Sequence, residues 1–139
     1  TDLDPKTMEI MVRMKLEVVN LAGFADLMPA ELSGGMIKRA AVARAIIMDP
    51  QILFMDEPSA GLDPVVSSAL DELILRLREA MGMAIVVVTH ELASIFAIGD
   101  NSVFLDPETR TMIASGDPKQ LLAQSPDPKV RSFLTRGEE

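Results

Sequence analysis

The sequence contains no cysteine, which excludes a disulfide framework and any thiolate-held metal site. It contains no tryptophan and no tyrosine, and its formal net charge is −8. A nucleic-acid surface needs a basic stripe and aromatics on which bases stack, so that class of partner is not expected. A single histidine, His90, cannot by itself make a metal centre or a catalytic triad. No apolar run approaches the roughly 20 residues of a membrane-spanning helix. The longest, AIVVV at 84–88, has the length and β-branched composition of a strand. No signal peptide is legible either, and the expectation is a soluble cytoplasmic segment. What is present is a chain of 139 residues, 48% hydrophobic and 24% charged, long enough to be one domain or part of one and too apolar to be disordered.

The pattern along the chain is an ordered alternation. Met8, Met11, Val12, Val18, Val19 and Leu21 recur at helical spacing over 5–21, with Pro5 suited to a first turn and Gly23 to a stop. A connector, FADLMPAEL, leads to a second helix over 34–48, ended by Asp49 and Pro50. QILFMDEP, a continuous apolar run closed by acids and a proline, reads as a buried parallel strand. A third helix over 64–80 follows, with Asp63 as its cap and Pro64 in its first turn. MAIVVVTH reads as a second buried strand, and 91–98 as a short helix. SVFLD and TMIASG form a hairpin across the turn PETR, and two short helices, about 117–124 and 127–135, close the chain. Strand–helix–strand with near-continuous apolar strands gives an α/β fold with a parallel sheet.

Two stretches carry chemistry. In AELSGGMIKRAAVARAI, Ser33 precedes two glycines, Gly34 and Gly35, at the start of a helix, where glycine costs about 1 kcal/mol relative to alanine. The bland explanation is a tight turn ending at a cap. The sharper one is close approach of a ligand to the backbone at a helix N-terminus, whose unpaired N–H groups and partial positive charge suit an anion.

In ILFMDEPSAGLD, an apolar strand delivers Asp56 and Glu57 to its carboxyl end, where open α/β sheets place their ligands. Successive strand residues point to opposite faces, so the two acids are suited to different jobs. A carboxylate there can hold a hydrated Mg²⁺, and another can orient a water for attack on a phosphoryl group. Acids that merely begin a loop are equally compatible with this stretch alone. His90 closes the next strand and is either a structural cap or a donor to a terminal phosphate oxygen at the same sheet edge.

Taken in series, these residues resemble the ATP-binding subunit of ABC transporters. LSGGM (Leu32, Ser33, Gly34, Gly35 and Met36) is similar to the signature motif, and ILFMDE to the Walker B strand with its glutamate. SAGLD at 59–63 is similar to the D-loop, and His90 to the switch histidine. Met36, where most members carry glutamine, and the tail SPDPKVRSFLTRG look like the Mla branch, which serves phospholipid trafficking at the bacterial outer membrane. The resemblance covers the whole chain. It implies a partial RecA-like P-loop NTPase sheet plus part of the ABC helical subdomain, with residues 1–49 in the helical subdomain and 50–139 in the catalytic core.

It also implies roles. Glu57 and His90 are catalytic, and Asp56 holds Mg²⁺. Residues 32–36 and Asp63 contact ATP, the signature from the opposite subunit. The implied partners are a second ATPase subunit, a membrane permease and a substrate-binding component, with no nucleic acid. The implied location is the cytoplasmic face of the inner membrane, held there by the permease, and the implied cargo is phospholipid or another hydrophobic compound.

The sequence departs from the family pattern in one large respect. None of its eight glycines is followed by lysine, so no G-x-x-x-x-G-K-[ST] phosphate loop occurs. The family's phosphate loop, adenine-stacking aromatic and Q-loop all precede the signature, so the resemblance makes this the later half of an ABC ATPase, inactive alone. It further implies a strand between those near 84–89 and 102–105 that this chain does not supply. Two other readings are a DNA-repair or chromosome-organising ABC ATPase and a non-catalytic interaction module. The first would flank the motifs with long heptad repeats and basic surface, which are not seen. Against the second stand intact Ser33, Glu57 and His90.

Overall fold

The computed structural model describes residues 3–137. They form two compact units divided between Thr89 and His90.

The first unit begins with helix α1, Pro5–Val18. Asp4 caps it, its carboxylate accepting from the backbone N–H of Lys6 and Thr7 at 3.0 Å each, an interaction typically worth about 1 kcal/mol. The helix ends earlier than Gly23, because Asn20 takes the left-handed conformation (φ 59°) that a short polar side chain tolerates. Val19 and Leu21, just past that end, are fully buried, although no residue within α1 is. Two 3₁₀ turns, Ala22–Phe24 and Pro29–Glu31, lead into α2, Gly34–Ala45. α2 packs against α1 and buries Val42 and Ala43, and the chain buries Ile46 as it leaves the helix. It too stops short of the expected end, and Asp49, at φ 47°, turns the chain toward the first strand while pairing with Lys15 of α1.

Strand β1, Ile52–Asp56, pairs in parallel with β2, Ala84–Val88, in the register Ile52 to Ala84 through Asp56 to Val88. Helix α3, Pro64–Met81, connects them. Asp63 caps α3 by accepting from the N–H of Val65 (3.0 Å) and Val66 (3.1 Å), and Gly82 ends it in the left-handed conformation that glycine adopts at no steric cost. Leu70, Leu73, Ile74 and Leu77, spaced i, i+3, i+4, i+7, form its buried stripe.

The strands correct one expectation. Both were read as buried on both faces, yet they alternate. Leu53 and Met55 are buried, while Ile52, Phe54, Val86 and Val88 lie exposed, Phe54 at 73%. Only one face of this two-stranded sheet is covered by the described residues, so strand sequences suited to a double-sided burial leave half their apolar surface bare.

The second unit contains α4 (Leu92–Ile98), an antiparallel hairpin of β3 (Ser102–Asp106) and β4 (Thr111–Gly116), α5 (Pro118–Gln124) and α6 (Pro128–Leu134). β3 and β4 form a sheet of their own. Leu92, Val130 and Leu134 centre a small core ringed by Ile95, Phe96, Phe104, Ile113, Ala114 and Leu121. Phe104 and Phe133 meet edge to face at 5.7 Å.

A polar clamp joins the hairpin to α6. The Lys129 ammonium donates to Asp106 Oδ1 at 2.9 Å and Glu108 Oε2 at 2.6 Å, while Asp106 Oδ2 accepts from the N–H (3.1 Å) and hydroxyl (2.9 Å) of Thr109. Asp106 is only 3% exposed. Its hydrogen bond from Lys129, then those from Thr109, pull its pKa from 3.8 down to about 2, and the two carboxylates push that of Lys129 up. No helix among the described residues is long and apolar enough to cross a membrane.

Candidate active site

The N-terminus of α2 is built by the turn before it. Glu31 folds back so that its carboxylate accepts from the N–H of Met28 at 2.7 Å, and Leu32 and Ser33 then run extended. Ser33 caps α2, its hydroxyl oxygen accepting from the N–H of Met36 at 3.3 Å, which leaves the hydroxyl hydrogen for another acceptor. The first-turn N–H groups of Gly34 and Gly35 have no carbonyl one turn back to bond.

The two glycines prove to have different reasons. A Cβ at Gly34 would meet only Leu62 Cδ2 at 3.6 Å, an ordinary contact on an exposed residue. A Cβ at the buried Gly35 would lie 2.5 Å from Val66 Cγ1, inside contact distance. Gly35 is therefore demanded by packing against the chain's own α3, whereas at Gly34 packing supplies no such demand.

At the other end of the site, Asp56 is the last residue of β1 and is exposed. The picture of two acids alternating along a strand does not hold, because Glu57 has left the strand and sits at φ 43°. A non-glycine residue in that conformation costs about 1–2 kcal/mol, so its contacts must hold it. They do so at each of its groups. Its N–H donates to Val88 O at 2.8 Å, and its carbonyl accepts from Ala60 N–H at 3.1 Å and from the Lys38 ammonium at 3.2 Å. Its carboxylate Oε2 accepts from the Thr89 hydroxyl at 3.4 Å. Parallel pairing is what brings Thr89 there, since Asp56 lies opposite Val88 at the carboxyl edge of both strands.

The loop from Glu57 to Asp63 closes with Leu62 N–H donating to Ser59 O at 3.1 Å and with Gly61 at φ 78°. Ser59 is 5% exposed, and its buried hydroxyl has no hydrogen-bond partner among the described residues. Asp63 spends one carboxylate oxygen on the α3 cap.

His90 opens the second unit. Its side chain is largely exposed, with Nε2 3.7 Å from Glu91 Oε1. Among the described residues no group of three or more metal-binding side chains occurs. Asp56 offers one hard, accessible carboxylate, and Mg²⁺ is commonly held by one or two carboxylates with water and phosphate completing its octahedron.

Residues 6–60 match the model of the ABC transporter family. The chain is 43% identical over 134 residues to the intermembrane phospholipid transport system ATP-binding protein MlaF of Escherichia coli K12, covering 96% of this chain and 49% of that protein. The chain is similar to the ATP-binding subunits of ABC transporters. The Haemophilus influenzae MlaF is 44% identical over 138 residues, which is 99% of this chain and 51% of that protein. A probable ribonucleotide transport ATP-binding protein, mkl of Mycobacterium tuberculosis, is 40% identical over 124 residues, 89% of this chain and 34% of that protein.

Solved ABC cassettes share the fold. An ATP-binding cassette in its ADP conformation matches with TM-score 0.82 at 28% identity, over 98% of this chain and 52% of that one. cbiO1 of Clostridium perfringens, part of an ABC transporter complex, matches with TM-score 0.81 at 28% identity, over 89% and 49%. The chain thus spans about half the length of the curated relatives it matches.

Sequence reasoning singled out the residues of both motifs but missed Lys38 and Thr89. In the sequence Lys38 is one of several charges within a helix, and Thr89 lies at the end of a strand. Only the pairing of β1 with β2, and the approach of α2 to the strand end, give either a partner.

Proposed function

We propose that this chain is the later half of an ATP-binding subunit that hydrolyses ATP to drive transport of phospholipid or a similarly hydrophobic compound. Residues 1–49 belong to its helical subdomain and 50–139 to its catalytic core. The observation that carries the reading is Glu57, held in a left-handed turn at the carboxyl edge of a parallel strand pair, beside an accessible Asp56. The 43–44% identity to MlaF supports the phospholipid cargo.

In this reading Asp56 holds Mg²⁺, which when bound neutralises charge on the nucleotide's phosphates. Glu57 accepts a proton from, and orients, the attacking water. The N–H groups of Gly34 and Gly35, with the Ser33 hydroxyl, receive the terminal phosphate of a nucleotide bound to a second subunit, where the helix dipole favours negative charge. Leu32 and Met36 flank that contact, Asp63 sits in the loop beneath it, and His90 donates to a phosphate oxygen. A second copy completes the site, and a permease at the cytoplasmic face of the membrane, with a substrate-binding component, couples it to transport. The phosphate-binding loop comes from the half of the subunit that this chain does not contain.

The test is Glu57→Gln in the full-length subunit. It retains shape and loses the proton acceptor, so ATP binding is expected to persist while turnover falls by about 10²–10⁴. Turnover at the wild-type rate would remove Glu57 from the mechanism.

A further inference from the structure

Lys38 reaches across from α2 to the strand end, its ammonium donating to the Glu57 carbonyl at 3.2 Å in a half-buried position. Its target is the residue in the site with most to lose. Glu57 is left-handed at φ 43° and is followed by Pro58, and a residue before proline prefers extended backbone. Glu57 is therefore held against its local preference. The N–H bond to Val88 fixes its amide to β2, but the direction in which its carboxylate leaves depends on the orientation of the peptide that follows, and Lys38 grips that peptide's oxygen.

The other end of the connection is the first turn of α2. Lys38 stands one turn beyond Gly34 on the same short helix, and that helix is pressed onto α3 at Gly35, where no room remains for even a methyl group against Val66. A displacement of the α2 N-terminus would move the backbone that carries Lys38, one turn along the same helix. We propose that Lys38 is a positioning residue for hydrolysis. It couples the phosphate-facing turn of α2 to the orientation of the Glu57 carboxylate, so that seating of a nucleotide's phosphate on that turn is read at Glu57 of the same chain. This rests on the role given to Glu57 above.

The experiment is steady-state ATP hydrolysis by the full-length subunit in its assembled complex, with Mg-ATP varied. Lys38→Met keeps the stem and removes the donor. It is expected to lower kcat on the order of 10- to 100-fold, as for loss of a charged hydrogen bond, with KM within about twofold of wild type. Lys38→Arg, which restores a cationic donor, recovers most of kcat.

In the Glu57→Gln background, Lys38→Met costs nothing further, because the group it positions is gone. Wild-type kcat in Lys38→Met, equal losses in Lys38→Met and Lys38→Arg, or the same loss in both backgrounds would overturn the proposal. If Lys38→Met does not fold, Lys38→Gln, with a neutral donor, replaces it and should fall between methionine and lysine in kcat. The two readings fail separately. Full turnover by Glu57→Gln sinks the assignment of Glu57, whereas a dead Glu57→Gln beside a fully active Lys38→Met sinks the role of Lys38 alone.

Discussion

Adding one methyl group at Gly35 tests whether the glycine pair serves the fold or a ligand. A Cβ there lies 2.5 Å from Val66 Cγ1, against a carbon–carbon optimum of roughly 3.5–4.0 Å, so about 1 Å of room must be found. Val66 cannot easily turn away, since a β-branched side chain in a helix has one strongly preferred rotamer and its own N–H is tied to the Asp63 cap. The helices must therefore separate, which for an overpacked contact costs about 1–3 kcal/mol. Alanine's better helix propensity returns about 0.5–1 kcal/mol, so at the centres of the two ranges Gly35→Ala is less stable by about 1 kcal/mol.

Gly34→Ala is the control. Its Cβ finds only an ordinary 3.6 Å contact with Leu62, so the propensity gain stands and stability is unchanged or rises by up to about 1 kcal/mol. Urea unfolding of the full-length subunit measures both from the midpoint at constant slope. Val66→Ala makes the room, so Gly35→Ala should cost much less in that background, a coupling of about 1 kcal/mol. A Gly35→Ala variant as stable as wild type, or one whose cost is independent of Val66, would refute the packing argument.

The clamp in the second unit has a pH signature. Asp106 titrates near 2 in the folded unit against 3.8 ordinarily, so its contribution is complete above about pH 4 and is lost as the pH falls through 2. Lys129, raised in the folded state, contributes fully below 10.5 and loses its contribution only at more alkaline pH. Lys129→Met removes the largest cause of the Asp106 shift. The acid transition of the C-terminal hairpin and α6, followed by NMR, should then move to higher pH, and a transition that stays put would contradict the clamp. Ser59→Ala deletes a buried hydroxyl that has no partner among the described residues, so stability should hold or rise by up to about 1 kcal/mol; a loss larger than that would show the hydroxyl is paired.

The sequence by itself determined the elements, because their signals are local. Asp4, Ser33, Asp63, Asp117 and Asp127 each cap a helix in the structure, and four of them are followed directly by a proline that can only begin one. The apolar runs at 52–56 and 84–88 were strands by length and branching, and the serine–glycine and acidic motifs stood out by residue type alone.

What tertiary structure decided were the properties that depend on a neighbour far away in the chain. Helix ends moved inward where Asn20 and Asp49 accept left-handed backbone, a choice made by where the chain must go next. The strands became one-sided because burial is a property of what lies on a face, and α3 covers one of two. Gly35 acquired its reason from Val66, 31 positions on, and Glu57 its conformation from Val88, Thr89 and Lys38 together. Capping and periodicity act over one turn of chain and can be read in order. A carboxylate's aim is set by contacts that exist only once β1 and β2 have paired and α2 has packed against the loop between them.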